Sequence, residues 1–385
     1  MTYRIVIVGA GIAGLSTAVA LHRHGHTVSV IEERRDTSSG AGISIWPNAL
    51  AALDRIGLGD QVRHAGGRIS AGAVRWRDGS WIRRPSPERI VTALGEPLVV
   101  IHRATLRDIL TGALPAGTVE HGVAATDITD ILGTTTGARL ELSDGSRRDA
   151  DALIGADGTR SMVARHLNGD LPQRYVGYTA WRGVADYRLD SDLAGETFGF
   201  GVEVGHVPMG ENQTYWFATE RVAEGASAVT GELRHLRRKF AAWADPVPAI
   251  LAATPEHMVL RNDLYDRAAA RRRARGPVVL VGDAAHPMRP HLGQGGCQAI
   301  EDAALLAEFM NLCADPATAF ARFVEFRRPR VRAVVRESRT IGTLLNARPA
   351  VLAAGLTRAT AVIPEAVLTR HLPTVAARSA FRTPT

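Results

Sequence analysis

A short apolar strand that runs into a glycine-spaced turn, then a helix, then a second strand ending in an acid leaves a chain few folds to adopt. Residues 3–32 have that order: Tyr3 to Val8 read as the strand, Gly9-Ala10-Gly11-Ile12-Ala13-Gly14 as the turn, a helix continues to about Arg23, and Thr27 to Ile31 form a strand ending at Glu32. In G-x-G-x-x-G the glycines permit a tight turn, close approach of a pyrophosphate, and packing of helix on strand. Glu32 stands 18 residues beyond Gly14, where a carboxylate accepts ribose hydroxyls and repels a 2′-phosphate, so FAD or NAD suits this turn better than NADP. Arg34 follows directly. The expected fold class is α/β, with a Rossmann-like dinucleotide-binding domain at its centre.

Two later turns share the strand-then-acid pattern. Asp151 to Ile154 lead into Gly155-Ala156-Asp157-Gly158, and Val278 to Val281 lead into Gly282-Asp283. After Pro287 and Pro290 comes Gly293-Gln294-Gly295-Gly296, then a helix with Ala299, Ile300, Ala303, Ala304 and Leu306 on one face. Glycines opening a helix leave bare N–H groups at its positive end, which suits a phosphate or an electron-rich ring. The approach Gly40-Ala41-Gly42-Ile43 lines a cofactor or makes a structural turn. Arg103 sits where the strand Leu98 to Ile101 meets the helix Ala104 to Leu114, within reach of a cofactor, while Arg107 reads as solvated.

A chain of 385 residues exceeds one typical core, so two lobes are expected. No run approaches the ~18 apolar residues of a membrane span, and the chain starts directly on a strand, which predicts a cytoplasmic protein without a signal peptide. Arginine and lysine together number 46 against 39 acids, and Lys239 is the only lysine. The basic runs Arg271-Arg272-Arg273 and Arg327-Arg328 lack interleaved aromatics and read as solvated faces, so no nucleic-acid partner is expected. Cys297 and Cys313 lack metal-ligand spacing, and His22, His24 and His26 straddle a helix end at Gly25, so no metal site is predicted.

With these turns in place, the chain resembles the single-component FAD-dependent aromatic hydroxylases of the p-hydroxybenzoate hydroxylase fold. A-G-I-S-I-W-P-N, Tyr178 to Gly183 and G-Q-G-G-C bring it nearest the salicylate, 3-hydroxybenzoate and 6-hydroxynicotinate hydroxylases and the FAD-dependent urate hydroxylase. The resemblance implies a discontinuous FAD-binding domain (1–70, 98–170 and 262–325), an inserted β-sheet substrate-binding domain (71–97 and 171–261) and a C-terminal helical segment (326–385). It implies that Gly9, Gly11, Ala13 and Gly14 hold the pyrophosphate, Glu32 and Arg34 the ribose end, and Gly42, Ile43 and Arg103 further parts of FAD. Asp157 and Gly158 would hold the flavin and admit nicotinamide; Gly282 and Asp283 would meet the ribitol; Pro290 and Gly293 to Gly296 would lie against the ring system. Gly296-Cys297 departs from the family's usual Ala-Asn.

For the middle domain, Thr179 to Ala185, Thr197 to Val204 and Thr214 to Thr219 read as strands, and alternate residues can face a ligand. Arg182, Phe200, His206, Tyr215 and Phe217 are the substrate-facing expectations, with Arg182, Tyr215 and above all His291 as catalytic residues. His286 reads as structural. The implied activity is oxidation of NADPH or NADH and hydroxylation by O2 of a small electron-rich aromatic or N-heteroaromatic substrate, through a flavin C4a-hydroperoxide, in a monomer or homodimer. Epoxidation or tailoring of a larger natural product or drug is the alternative on the same scaffold. A flavoprotein that reduces or sequesters its ligand without oxygenation is the alternative of a different class.

Overall fold

The computed structural model describes residues 1–35, 41–70, 72–131 and 137–384; Gly40 of the glycine-rich approach lies outside them. The first strand, Arg4–Val8, sits inside a six-stranded sheet whose spatial order is Ala274–Arg275, Val278–Leu280, Ala152–Gly155, Arg4–Val8, Thr27–Glu32, Val119–His121. All pairs are parallel except the edge pair Ala274–Arg275 with Val278–Leu280. Parallel sheets are covered on both faces, and the alternation of the first strand shows how. Ile5 and Ile7 enter a core shared with the helices Ile12–Arg23 and Gly295–Leu312. Val6 and Val8 enter another, made with Ile128, Leu140 and Leu142 of a three-stranded antiparallel sheet.

Register then builds the site. Val8 lies opposite Gly155, and Gly155 opposite Leu280. The three turns that follow these strands therefore open along one carboxyl edge, the crevice where ligands bind in such sheets.

The second sheet has seven strands, in the order Leu260–Arg267, Gln173–Ala185, Gln213–Glu220, Val202–Met209, Gly195–Phe198, Ala73–Trp76, Trp81–Arg83. One face carries Trp181, Trp216 and Val204 against Leu233, Leu236 and Phe240 of the helix Glu232–Phe240. Arg182 pairs with Phe217, and Val184 with Tyr215, so Arg182, Tyr215 and Phe217 share the opposite face. A small sheet of Gly42–Ile45, Leu98–His102 and Gly67–Ile69 joins the halves.

Three sequence expectations need correction. The substrate sheet extends to Arg267, past the expected boundary at 261, because Leu260–Arg267 pairs with Gln173–Ala185. The boundary at 325/326 falls inside one continuous helix, Pro316–Leu345. The strand expected over 197–204 is a hairpin, broken by Gly201 at φ +70°.

Candidate functional site

At the N-terminal turn, sequence dictates geometry through missing side chains. A Cβ on Gly14 would lie 1.8 Å from the Gly9 carbonyl oxygen, and one on Gly9, at φ +102°, would lie 2.6 Å from that of Ala156. A Cβ on Gly11 would meet nothing. The helix begins at Ile12, so its first N–H groups have no carbonyl a turn before them and make this a positive helix end. Glu32 fixes this turn: its carboxylate accepts from Ala10 N–H at 2.7 Å and Arg34 N–H at 3.0 Å. Arg34 thus contributes its backbone, while its side chain is exposed. These features fit a pyrophosphate beside Gly11 and a ribose near Glu32.

At the second turn the Asp157 carboxylate is already engaged. It accepts from the Ser161 hydroxyl at 2.5 Å and from the N–H groups of Met162 and Val163 at 2.7 and 3.2 Å. Asp157 therefore builds the start of the helix Met162–Asn168, and burial pushes its carboxyl up against these bonds. What the turn offers a ligand is Gly158, at φ +71° with open space at its Cβ position.

The third turn is the most tightly supported. Gly282, at φ +56°, packs its bare Cα against Ala13 and Ala299, and its N–H donates to Asp302 at 2.9 Å. Asp283 remains solvent-accessible within the cleft; surrounding protein pushes its carboxyl up, opposed by His286, Arg103 and Arg267. Arg267, buried, donates to the Asp283 and Ala284 carbonyls at 2.9 and 2.7 Å. Sequence reasoning missed Arg267 because a lone arginine at a strand end carries no motif.

Pro290 opens a short turn, and Gly293 ends it at φ +61° over the Trp46 indole. Gly295 and Gly296 start the helix Gly295–Leu312, with Gly296 allowing Ile43 to approach where an added Cβ would lie 2.8 Å away. The Gln294 side chain turns into the protein, so what this residue can present to a ligand is its backbone. The side chain is fully buried and accepts from Asn48 at 3.0 Å and Gln298 at 3.1 Å, in a network that continues to Glu301, Arg327 and Arg330. Cys297, in the position where the family's asparagine was expected, is buried, and its thiol is pushed up to about 12.

On the substrate sheet, Tyr215 covers Gly42, whose added Cβ would lie 2.5 Å from the tyrosine ring. Burial pushes the Tyr215 phenol up, and Arg182 and Arg103 pull it down. Desolvation lowers Arg103; the Asp283 charge opposes this, while Arg182 and Arg107 add to it. Hence Arg103, Arg182, Tyr215 and Asp283 share one field, to which the charge of half-buried Arg107 adds. Arg182 is held by Asn262 at 2.9 Å.

Two other expectations fall away on geometry. His206 is on the opposite face, buried and bonded to Thr197 at 3.0 Å, and desolvation pushes it down to about 4. Phe200 leaves the face at the hairpin tip and packs edge-on against Trp76. His291 is corrected in orientation: its side chain is 2% exposed, takes part in a 2.7 Å hydrogen bond with the Tyr178 hydroxyl, has Glu203 at 3.7 Å, and abuts Gly342 of the long helix. Its ring faces packed protein, not the cleft. His286 is buried against Asp302 at 2.6 Å. Among the described residues no group of His, Cys, Asp and Glu could hold a metal.

A family model described as "FAD binding domain" matches residues 2–338. The chain is 37% identical to aurachin C monooxygenase/isomerase of Stigmatella aurantiaca, over 88% of this chain and 89% of that one. It is 36% identical to 3-amino-4-hydroxybenzoate 2-monooxygenase of Streptomyces cremeus, over 88% and 86%. The structure of Klebsiella pneumoniae HpxO complexed with FAD and uric acid superposes with a TM-score of 0.89 at 28% identity, covering 97% of this chain and 96% of that one.

Proposed function

Because the chain belongs to the FAD-binding-domain family and is an FAD-dependent monooxygenase, we propose that it consumes NADPH or NADH and O2 to hydroxylate a small electron-rich aromatic or N-heteroaromatic ring. The observation that carries this reading is the shared field of Tyr215, Arg182 and Arg103 beside Gly42 and Asp283, on the sheet face turned toward the cofactor half. Bound FAD supplies the hydride chemistry and the activated oxygen.

The chain's own residues do the positioning. Gly9, Gly11 and Gly14 admit the pyrophosphate, Glu32 the ribose, and Asp283 with the helix start at Gly295 the part nearer the ring system. Phe217 gives a substrate ring an apolar wall. The Tyr215 hydroxyl bonds the substrate's O–H or N–H, and the two guanidinium groups favour its anionic form. Deprotonation, with the proton released to solvent, raises electron density on the ring carbon to be oxidised, and the Tyr215 phenol, kept protonated by burial, donates a hydrogen bond to the resulting anion. His291, locked by Tyr178 and the long helix, acts as a positioning residue for the loop 290–293.

The test is stopped-flow flavin absorbance with NADPH and NADH, anaerobic and then aerobic, across phenolic acids, hydroxypyridines and larger aromatics. The expected result is ligand-accelerated reduction followed by an oxygenated product. Tyr215→Phe should retain FAD but form product at least about tenfold more slowly, releasing more peroxide per NAD(P)H. A ligand that leaves reduced rather than oxygenated would refute the proposal, as would a panel that never accelerates reduction.

A further inference from the structure

A helix on a globular domain ordinarily turns its apolar stripe inward. Ala350–Ala359 buries the small residues Ala353 and Ala354 together with Thr357, and turns its larger side chains outward. Val351 is 68% exposed, with Leu352 and Leu356 exposed beside it. In the chain that follows, Val362 is 82% exposed, and Val367 is exposed on the helix Glu365–Ala376, which is bent by 96° from Ala350–Val362. Single exposed aliphatics need no explanation, but a contiguous apolar surface marks a place of contact.

The segment that carries these side chains is positively charged on balance. Residues 348–370 contain three arginines, Arg348, Arg358 and Arg370, against one acid, Glu365, and Glu365 is paired with Arg89 at 3.4 Å. Arg358 lies 5.1 Å over the Trp76 ring. A second copy docked through the same face about a two-fold axis would bring these arginines against their own mates. An anionic bilayer matches both properties: aliphatic tips enter the acyl boundary while guanidinium groups meet phosphates.

We propose that the outward face of residues 350–367 docks on the surface of an anionic lipid bilayer. The contact is interfacial: among the described residues no single helix is long and apolar enough to cross a membrane, and Ala350–Val362 and Glu365–Ala376, which reach that length and apolarity only together, are bent by 96° at their break. The buried side of the same segment, with Ala353 and Thr357, closes a small cavity against Glu203 and Thr219 of the seven-stranded sheet. Thr219 is on the face that carries Tyr215 and Phe217. Lipid contact therefore falls at one end of that face.

The test is flotation of the FAD-loaded full chain with vesicles of phosphatidylcholine alone and of phosphatidylcholine mixed with phosphatidylglycerol. The expected result is flotation with the mixed vesicles, weakened by salt. Leu352→Asp and Val362→Asp should each lower partition about tenfold or more, and Arg358→Gln about fivefold, with FAD content unchanged. No flotation with mixed vesicles, or partition that both aspartate variants leave intact, would overturn the proposal. So would a concentration-dependent dimer in sedimentation velocity that Leu352→Asp abolishes, because the face would then belong to a second copy. The readout is lipid partition, so it succeeds or fails separately from the monooxygenase reading.

Discussion

Replacing Arg267 by Met should weaken FAD binding without removing any residue expected to touch FAD. Arg267 ends the strand Leu260–Arg267, and one of its nitrogens holds the carbonyls of Asp283 and Ala284 at 2.9 and 2.7 Å. Hydrogen bonds to a charged group each contribute about 1.5–3 kcal/mol. Against this, the guanidinium is costly to bury: desolvation lowers it, and its Nε has no hydrogen-bond partner among the described residues. Methionine fills much of the volume and relieves that cost, so the net loss falls to about 2–3 kcal/mol. With roughly half or more of it borne by the turn that presents Asp283, FAD affinity should fall about tenfold to a hundredfold, 1.4 kcal/mol being a factor of ten. Titrating apoprotein with FAD by flavin fluorescence measures this directly, and Arg267→Lys, which keeps one donor, should recover part of the loss. An Arg267→Met protein that binds FAD within twofold of the parent would refute the reasoning.

Three further outcomes are expected. His206 is held near 4, below its ordinary 6.5, so the unfolded chain takes up a proton that the folded one refuses. Stability should be full above about pH 6.5 and fall by up to about 3 kcal/mol as pH drops toward 4; urea melts across this range should show a shallower loss for His206→Gln, and equal slopes would contradict it. Cys297, with its thiol pushed up to about 12, should resist a thiol reagent in the native protein while the partly exposed Cys313 reacts; one thiol should titrate before unfolding and two after, whereas two native thiols of equal rate would place Cys297 wrongly. Arg327→Met strips buried Glu301 and Asp302 of a partner at 2.5 and 2.7 Å, costing about 3–5 kcal/mol; calorimetry showing an unchanged Tm would mean the network carries no such load.

The cofactor half was legible wherever backbone geometry restricts residue type. The turns at Gly9, Gly158, Gly282 and Gly293 all have positive φ, and only glycine adopts that readily, so spacing alone located them. The substrate half was legible as strands but not as faces. His206 and Tyr215 look alike in sequence, and only the pairing of His206 with Trp216 turns the histidine into the helix-backed core. Gln294 and His291 stand in the glycine-rich loop, where a sequence suggests ligand contact. Their partners, Asn48, Tyr178 and Glu203, come from distant segments whose approach no local pattern encodes. Arg267 and the outward apolar face of Ala350–Ala359 were missed, and Arg327 was read as part of a solvated face although it is buried against Glu301 and Asp302, for the same reason: each has meaning through what lies against it in space.

The network that runs from Asn48 and Gln294 through Glu301 to Arg327 and Arg330 also sets how this chain can be divided by an engineer. Glu301 and Asp302 are on the helix that begins at the glycine loop, while their counter-charges come from Pro316–Leu345. A shortened chain ending near 325, which retains every glycine turn, would bury two carboxylates with no guanidinium to meet them. Domain swaps, split reporters and fusions should therefore leave residues 295–345 in one piece. The exposed turn at Asp144-Gly145, where an added Cβ at Gly145 meets nothing within 4 Å and the flanking strands pair directly with each other, is the better place to cut or insert.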